Sequence, residues 1–100
     1  MEKMIEKIIE FRNERGWEPY HNEKDLAISI SLEANELLEN FQWKSSQEAL
    51  LDKNQNTNEE MADILIYLVQ MADKMNVDLE EEVYKKLDKN AFKYPVKGVE

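Results

Sequence analysis

No cysteine occurs in this 100-residue chain, and glycine and proline number only two each. The first absence excludes disulfides and thiolate metal sites and fits a cytoplasmic protein. The second argues against a β-rich fold, whose turns demand more of both residues, and leaves long segments of 3.6-residue period to build an all-α protein. Basic residues are outnumbered 13 to 22, and the net charge of −9 argues against a general nucleic-acid binder. There is no run of about 18 apolar residues, so no membrane span is expected. The opening segment from Met1 to Lys7 is amphipathic and acidic, unlike a secretory or transit leader. Histidine occurs once, at His21, which removes the paired Glu-x-x-His motifs of a di-iron bundle.

What is present is 42% apolar residues, enough for a single domain over residues 1–100 with one small core. The periodicity predicts a four-helix-bundle-like arrangement with one short extra helix. The first helix runs from Glu2 to about Arg15, with Met4, Ile5, Ile8, Ile9 and Phe11 facing inward and Gly16 as its C-terminal stop. Asn22 caps the second, with Asp25 in a capping-box-like position, and that helix ends near Phe41. A short piece starts at Ser45 or Ser46 and reaches Leu51, before a polar loop over residues 52–58. The third long helix spans Asn56 or Thr57 to Met75. Asp78 caps the last, in which Leu79, Val83 and Leu87 recur every four residues. The tail from Asn90 to Pro95 is expected to be irregular, since Pro95 disfavours helix at Tyr94.

The third long helix is apolar around nearly its whole circumference. Its only polar stripe is Glu60, Asp63, Tyr67, Gln70 and Lys74, while Asp73 lies apart and marks a helix end or a small solvent opening. Three short amphipathic neighbours cannot cover such a helix, so an oligomer is expected, with Met61, Ile66 and Val69 on sides that one partner leaves uncovered. The stripe also carries half of the most informative pattern in the chain. Glu33 and Glu36 in the second helix, and Glu60 and Asp63 in the third, are each spaced i, i+3, which puts each pair on one helix face roughly 5 to 6 Å apart at Cβ. In the second helix the pair lies between the apolar face of Leu26, Ile30, Ala34, Leu37, Leu38 and Phe41 and a smaller strip of Ile28 and Leu32. Four carboxylates packed face to face need protons or cations, and oxygen-only ligation points to a hard divalent ion, Mg²⁺ with Mn²⁺ as a substitute.

Other readings of the same residues compete. Both acidic pairs would be ordinary surface if solvated. Thr57-x-x-Glu60 and Asn56-x-x-Glu59 are both capping-box patterns. Residues 52, 54, 56, 58, 60 and 63 fall at the ligand positions of an EF-hand loop, although Thr57 stands where the turn needs Gly and Asp63 where a bidentate Glu belongs. Lys85, Lys86, Lys89, Lys93 and Lys97 complement the dipole of a helix end, yet Lys86 shares a face with Asn90 in a way that suits a triphosphate clamp. Trp17 and Trp43 either hold a nucleobase or seal the ends of the core. A non-catalytic helical interaction module is the competing functional class.

The Glu33-x-x-Glu36 and Glu60-x-x-Asp63 pairs occur together with Phe11-Arg-Asn-Glu-Arg-Gly-Trp17-Glu-Pro-Tyr-His21, Leu37-Leu-Glu-Asn-Phe-Gln-Trp43, Asp63-Ile-Leu-Ile-Tyr67-Leu and Lys93-Tyr-Pro95. Across nearly the whole chain this set resembles the MazG-like all-α nucleoside triphosphate pyrophosphatases, and within them the dCTP pyrophosphatase branch. The resemblance implies hydrolysis of a nucleoside triphosphate, usually a deoxynucleotide, to the monophosphate and pyrophosphate, by a helical bundle that assembles as dimers or dimers of dimers. It implies that Glu33, Glu36, Glu60 and Asp63 hold magnesium, with Glu36 as the candidate proton acceptor, and that Trp17, His21, Trp43 and Tyr67 line the nucleoside pocket. Ile8 stands where dCTP-preferring relatives carry a histidine, so strict cytosine selectivity does not follow.

Overall fold

The computed structural model of the protein describes residues 1–52 and 56–97. Among these there are five α-helices and no strand: α1 (Glu2–Glu14), α2 (Glu23–Glu39), α3 (Ser46–Leu51), α4 (Thr57–Lys74) and α5 (Leu79–Lys93), with one 3₁₀ turn over Glu18–Tyr20. Most ends are fixed by local hydrogen bonds. The Asn22 side chain accepts from the Asp25 amide at 2.8 Å and donates to its carboxylate at 2.9 Å. Ser45 and Glu48 close a reciprocal capping box, and Asp78 accepts from the Glu81 amide at 3.0 Å.

Two helices stop in the same way. Gly16, at φ +66°, donates to the Asn13 carbonyl while Trp17 donates to that of Arg12; Asn76, at φ +55°, donates to Asp73 while Val77 donates to Ala72. This is the Schellman arrangement, with Gly and then Asn in the left-handed position.

Helices α2 and α4 form the central pair. They run antiparallel, since His21 just ahead of α2 meets Gln70 late in α4, while Asn40 at the end of α2 meets Glu60 in the first turn of α4. Leu26, Ala49 and Val69 are the fully enclosed apolar residues. Helix α1 is tied to α4 by Arg12, whose Nη2 lies 2.9 Å from the Asp73 carboxylate.

Several expectations change. Phe11 and Met4 are exposed, Ile5, Ile8 and Ile9 are half-buried, and the buried residue of α1 is Arg12. Val69 is covered within one chain, whereas Met61 and Ile66 stay exposed. Asp73 lies in the last turn of α4 and is open to solvent, as expected, and it also pairs with the buried Arg12. Helix α5 continues through the segment expected to be irregular, and the effect of Pro95 is confined to Tyr94, its C-cap. Because α4 is helical from Thr57, Glu60 and Asp63 stand on a helix and not in an EF-hand loop, of which residues 53–55 lie outside the described residues.

Helix α5 keeps Val83, Tyr84 and Leu87 exposed, as α2 does Ile28 and Leu32. The radius of gyration is 17.0 Å, against about 13 Å for a compact chain of this length. The accessible surface is 8402 Å², against about 5,900 Å² for a compact 11.9 kDa monomer. No helix among the described residues is long and apolar enough to cross a membrane.

Arg12 already buries an unpartnered Nη1, so Asp73 is its only described counter-charge. Asp73→Ala is expected to cost about 1–3 kcal/mol, discounted for the half-exposed carboxylate. Urea unfolding checks this, and an unchanged midpoint would contradict it.

Candidate metal centre

The α2–α4 interface brings the two acidic pairs to one place. Glu33 and Glu36 sit one turn apart on α2, and Glu60 opens α4 opposite them. One oxygen from each of Glu33, Glu36 and Glu60 lies within 4.8 Å of the others. Glu60 is buried, Glu33 half-buried and Glu36 exposed. Glu60 Oε1 accepts from Asn40 Nδ2 at 3.4 Å, so the side chain is engaged across the interface, and Asn56 makes no side-chain cap at the start of α4. Two carboxylate oxygens, Oε2 of Glu33 and Oε2 of Glu60, are buried without a hydrogen-bond partner. Buried acceptors left this way are costly, and a cation satisfies both at once.

The electrostatics agree. Glu33 is pushed above the ordinary carboxylate range, first by burial, then by the charges of Glu36 and Asp63, a hydrogen bond with Glu36, and the charge of Glu60. Asp63, half-buried, thus belongs to the same field although it stands outside the tightest group. The Tyr67 phenol is pushed up by burial and then by Glu33, Asp63 and Glu36, so it keeps its proton and can donate. All four carboxylates offer only oxygen, the donor set of a hard divalent ion.

Past Tyr67 the polar stripe of α4 continues to a second group. Gln70, 4% exposed, directs Oε1 to His21 Nδ1 at 2.7 Å. The Trp17 ring lies 5.8 Å from that of His21, tilted by 44°, and Phe11 meets Trp17 edge-on at 5.8 Å. Lys74 closes the stripe by pairing with Glu18 at 3.0 Å.

The remaining expected site residues are not gathered within one chain. Trp43 follows the C-terminal end of α2, 93% exposed and at φ +65°, so it does not seal the core. Trp17 and His21 precede the other end of that helix, whose 17 residues span about 25 Å. Lys86 is exposed and Asn90 half-buried on α5; Lys86 forms no ion pair among the described residues and lines a shallow hollow of mixed charge with Glu82, Lys85, Asp88 and Lys89.

Sequence reasoning passed over Asn40, Gln70 as a partner of His21, and Arg12. Asn40 follows Glu33 and Glu36 at i+7 and i+4, so its place on the acidic face was readable. Arg12 shares a face with Ile5 and Ile8, but a charged residue there is ordinarily solvated.

The sequence model of the MazG-like family matches residues 28–100. The dCTP pyrophosphatase 1 of Mus musculus is 42% identical over 92 residues, covering 87% of this chain and 54% of that protein. That of Homo sapiens is 38% identical over 91 residues, covering 86% and 54%. The chain thus spans about half the length of the curated relatives it matches. The crystal structure of a pyrophosphatase from Archaeoglobus fulgidus DSM 4304 superposes with a TM-score of 0.86 at 45% identity, covering 96% of this chain and 93% of that one.

The raised Glu33 value fixes a pH dependence. The folded chain holds this proton more tightly than the unfolded chain, so stability falls as pH rises from the ordinary carboxylate range through the raised folded value. In chelator, Glu33→Gln is expected to be more stable than the unmodified protein at neutral pH, the gap closing below that window. Thermal unfolding against pH measures it; a variant less stable at every pH would contradict the crowding of charge.

Proposed function

Because the chain belongs to the MazG-like family, we propose that it is a Mg²⁺-dependent nucleoside triphosphate pyrophosphohydrolase that cleaves a deoxynucleotide such as dCTP, or a related nucleotide, to the monophosphate and pyrophosphate. The observation that carries this reading is the convergence of Glu33, Glu36 and Glu60, with two buried acceptor oxygens unpartnered. The relatives named dCTP pyrophosphatase 1 and the archaeal pyrophosphatase support it.

Glu33, Glu36, Glu60 and Asp63 would hold the cation. When bound, Mg²⁺ supplies positive charge against the phosphates and lowers the pKa of water, with Mn²⁺ as a substitute. Glu36, the solvent-exposed member of the tight group, accepts the proton of the water that attacks the α-phosphorus. Tyr67, kept protonated beside the carboxylates, donates to the sugar. Trp17 and His21 hold the base, and Trp43 supplied by a second copy of the chain adds a second stacking face.

A second copy of the chain completes the site. The surface in excess of a compact monomer, roughly 2,500 Å², suits the large interface of an obligate homodimer. Burying the exposed strips of α2, α4 and α5 there brings Lys86 and Asn90 to the triphosphate. Dimers, or dimers of dimers, are the expected assembly.

Glu36→Gln and Asp63→Asn should fold yet lose about 10²-fold or more in kcat, read as pyrophosphate released from a panel of nucleoside triphosphates. Undiminished turnover in excess chelator would sink the metal mechanism. Metal binding with no pyrophosphate release from any nucleotide would favour the interaction-module reading. Light scattering at micromolar concentration should give at least a dimer, and a stable, active monomer would contradict the assembly.

A further inference from the structure

We propose that Gln70 is a positioning residue that fixes the tautomer of His21, so that the imidazole offers a hydrogen-bond acceptor to the nucleobase and favours bases carrying an amino group, cytosine and adenine, over those carrying a carbonyl at the same place. The inference rests on the reading above that Trp17 and His21 hold the base.

The geometry is specific. Gln70 is almost fully enclosed on α4 and presents its carboxamide oxygen to His21 Nδ1 at 2.7 Å. A carboxamide oxygen only accepts, so this contact calls for the proton on Nδ1, which in a neutral imidazole puts the lone pair on Nε2. No described residue pairs with Nε2, which leaves that nitrogen free for a ligand. The contact of His21 with the Trp17 ring restrains the imidazole against turning over. Glu18, the acidic residue three positions before it, is paired with Lys74.

Gln70 also stands in the right order along α4. It lies one turn beyond Tyr67 and about 10.5 Å of helix rise beyond Asp63, so phosphate, sugar and base would meet carboxylates, phenol and imidazole in sequence. Without Gln70, an imidazole in water favours the proton on Nε2, the opposite pattern. An acceptor at Nε2 matches the N4 amino group of cytosine and the N6 amino group of adenine, and opposes O4 of thymine and O6 of guanine.

Because His21 is the only histidine in the chain, ¹⁵N-histidine labelling gives one ring spectrum. In the unmodified protein, Nδ1 should be the protonated nitrogen and Nε2 the pyridine-like one. Nε2 should shift when α,β-imido-dCTP is added with Mg²⁺. In Gln70→Leu the proton should move to Nε2, and the ratio of kcat/KM for dCTP over dTTP should fall by about tenfold, the worth of one neutral hydrogen bond. Gln70→Met serves if the leucine variant does not fold, and the spectrum of the unmodified protein decides the tautomer without any variant. Protonation at Nε2 in the unmodified protein would overturn the proposal outright. A correct tautomer with an unaltered base ranking in the Gln70 variants, while the analogue still shifts the ring, would overturn the selectivity alone. A ring unmoved by saturating analogue would overturn the base-pocket reading, and the proposal with it.

Discussion

Repulsion among carboxylates at the α2–α4 interface is the constraint around which the rest of the molecule is arranged. Two unit charges within 4.8 Å of each other repel by about 3 kcal/mol or more at an effective dielectric near 20, which is a large fraction of a small domain's net stability. Glu33 takes up a proton more readily than usual, which relieves part of this repulsion, and a cation bound to the two unpartnered buried oxygens would relieve more. Leu26 and Val69 keep the two helices together, and the antiparallel register set by Asn40 on Glu60 and His21 on Gln70 keeps the acidic pairs opposed.

From that centre the chemistry is laid out along one stripe of one helix. Carboxylates come first, then a phenol, then an amide bound to an imidazole, then a lysine already neutralised by Glu18. A phosphorylated ligand bound along it would meet cation, hydrogen-bond donor and aromatic faces in that order. The stripe is polar because the remainder of α4 is apolar. Part of that apolar surface, at Met61 and Ile66, stays exposed.

Much of this was legible in the sequence. The helix boundaries followed from period and caps, because Asn22, Ser45 and Asp78 bond their own helix starts and depend on nothing distant. The acidic pairs and the α4 stripe were legible because i, i+3 spacing is a local property. Arg12 was not, since burial of a guanidinium depends on Asp73, 61 positions away. The helical course of residues 90–93 was also hidden: a proline restricts the residue before it, and that restriction fell on Tyr94 alone. Trp17 and Trp43 stand at opposite ends of α2, which the sequence-read bounds of that helix already implied.

The central claim, that these carboxylates are built around a divalent ion and hold a proton until it arrives, is tested most directly by titrating Mg²⁺ or Mn²⁺ into the nucleotide-free protein calorimetrically. Two buffers of different ionisation enthalpy are needed, at a pH between the ordinary carboxylate range and the raised Glu33 value. The account predicts saturable binding that releases protons, with both binding and release lost in Glu60→Gln. Binding that releases no proton, or that survives Glu60→Gln unchanged, would contradict it.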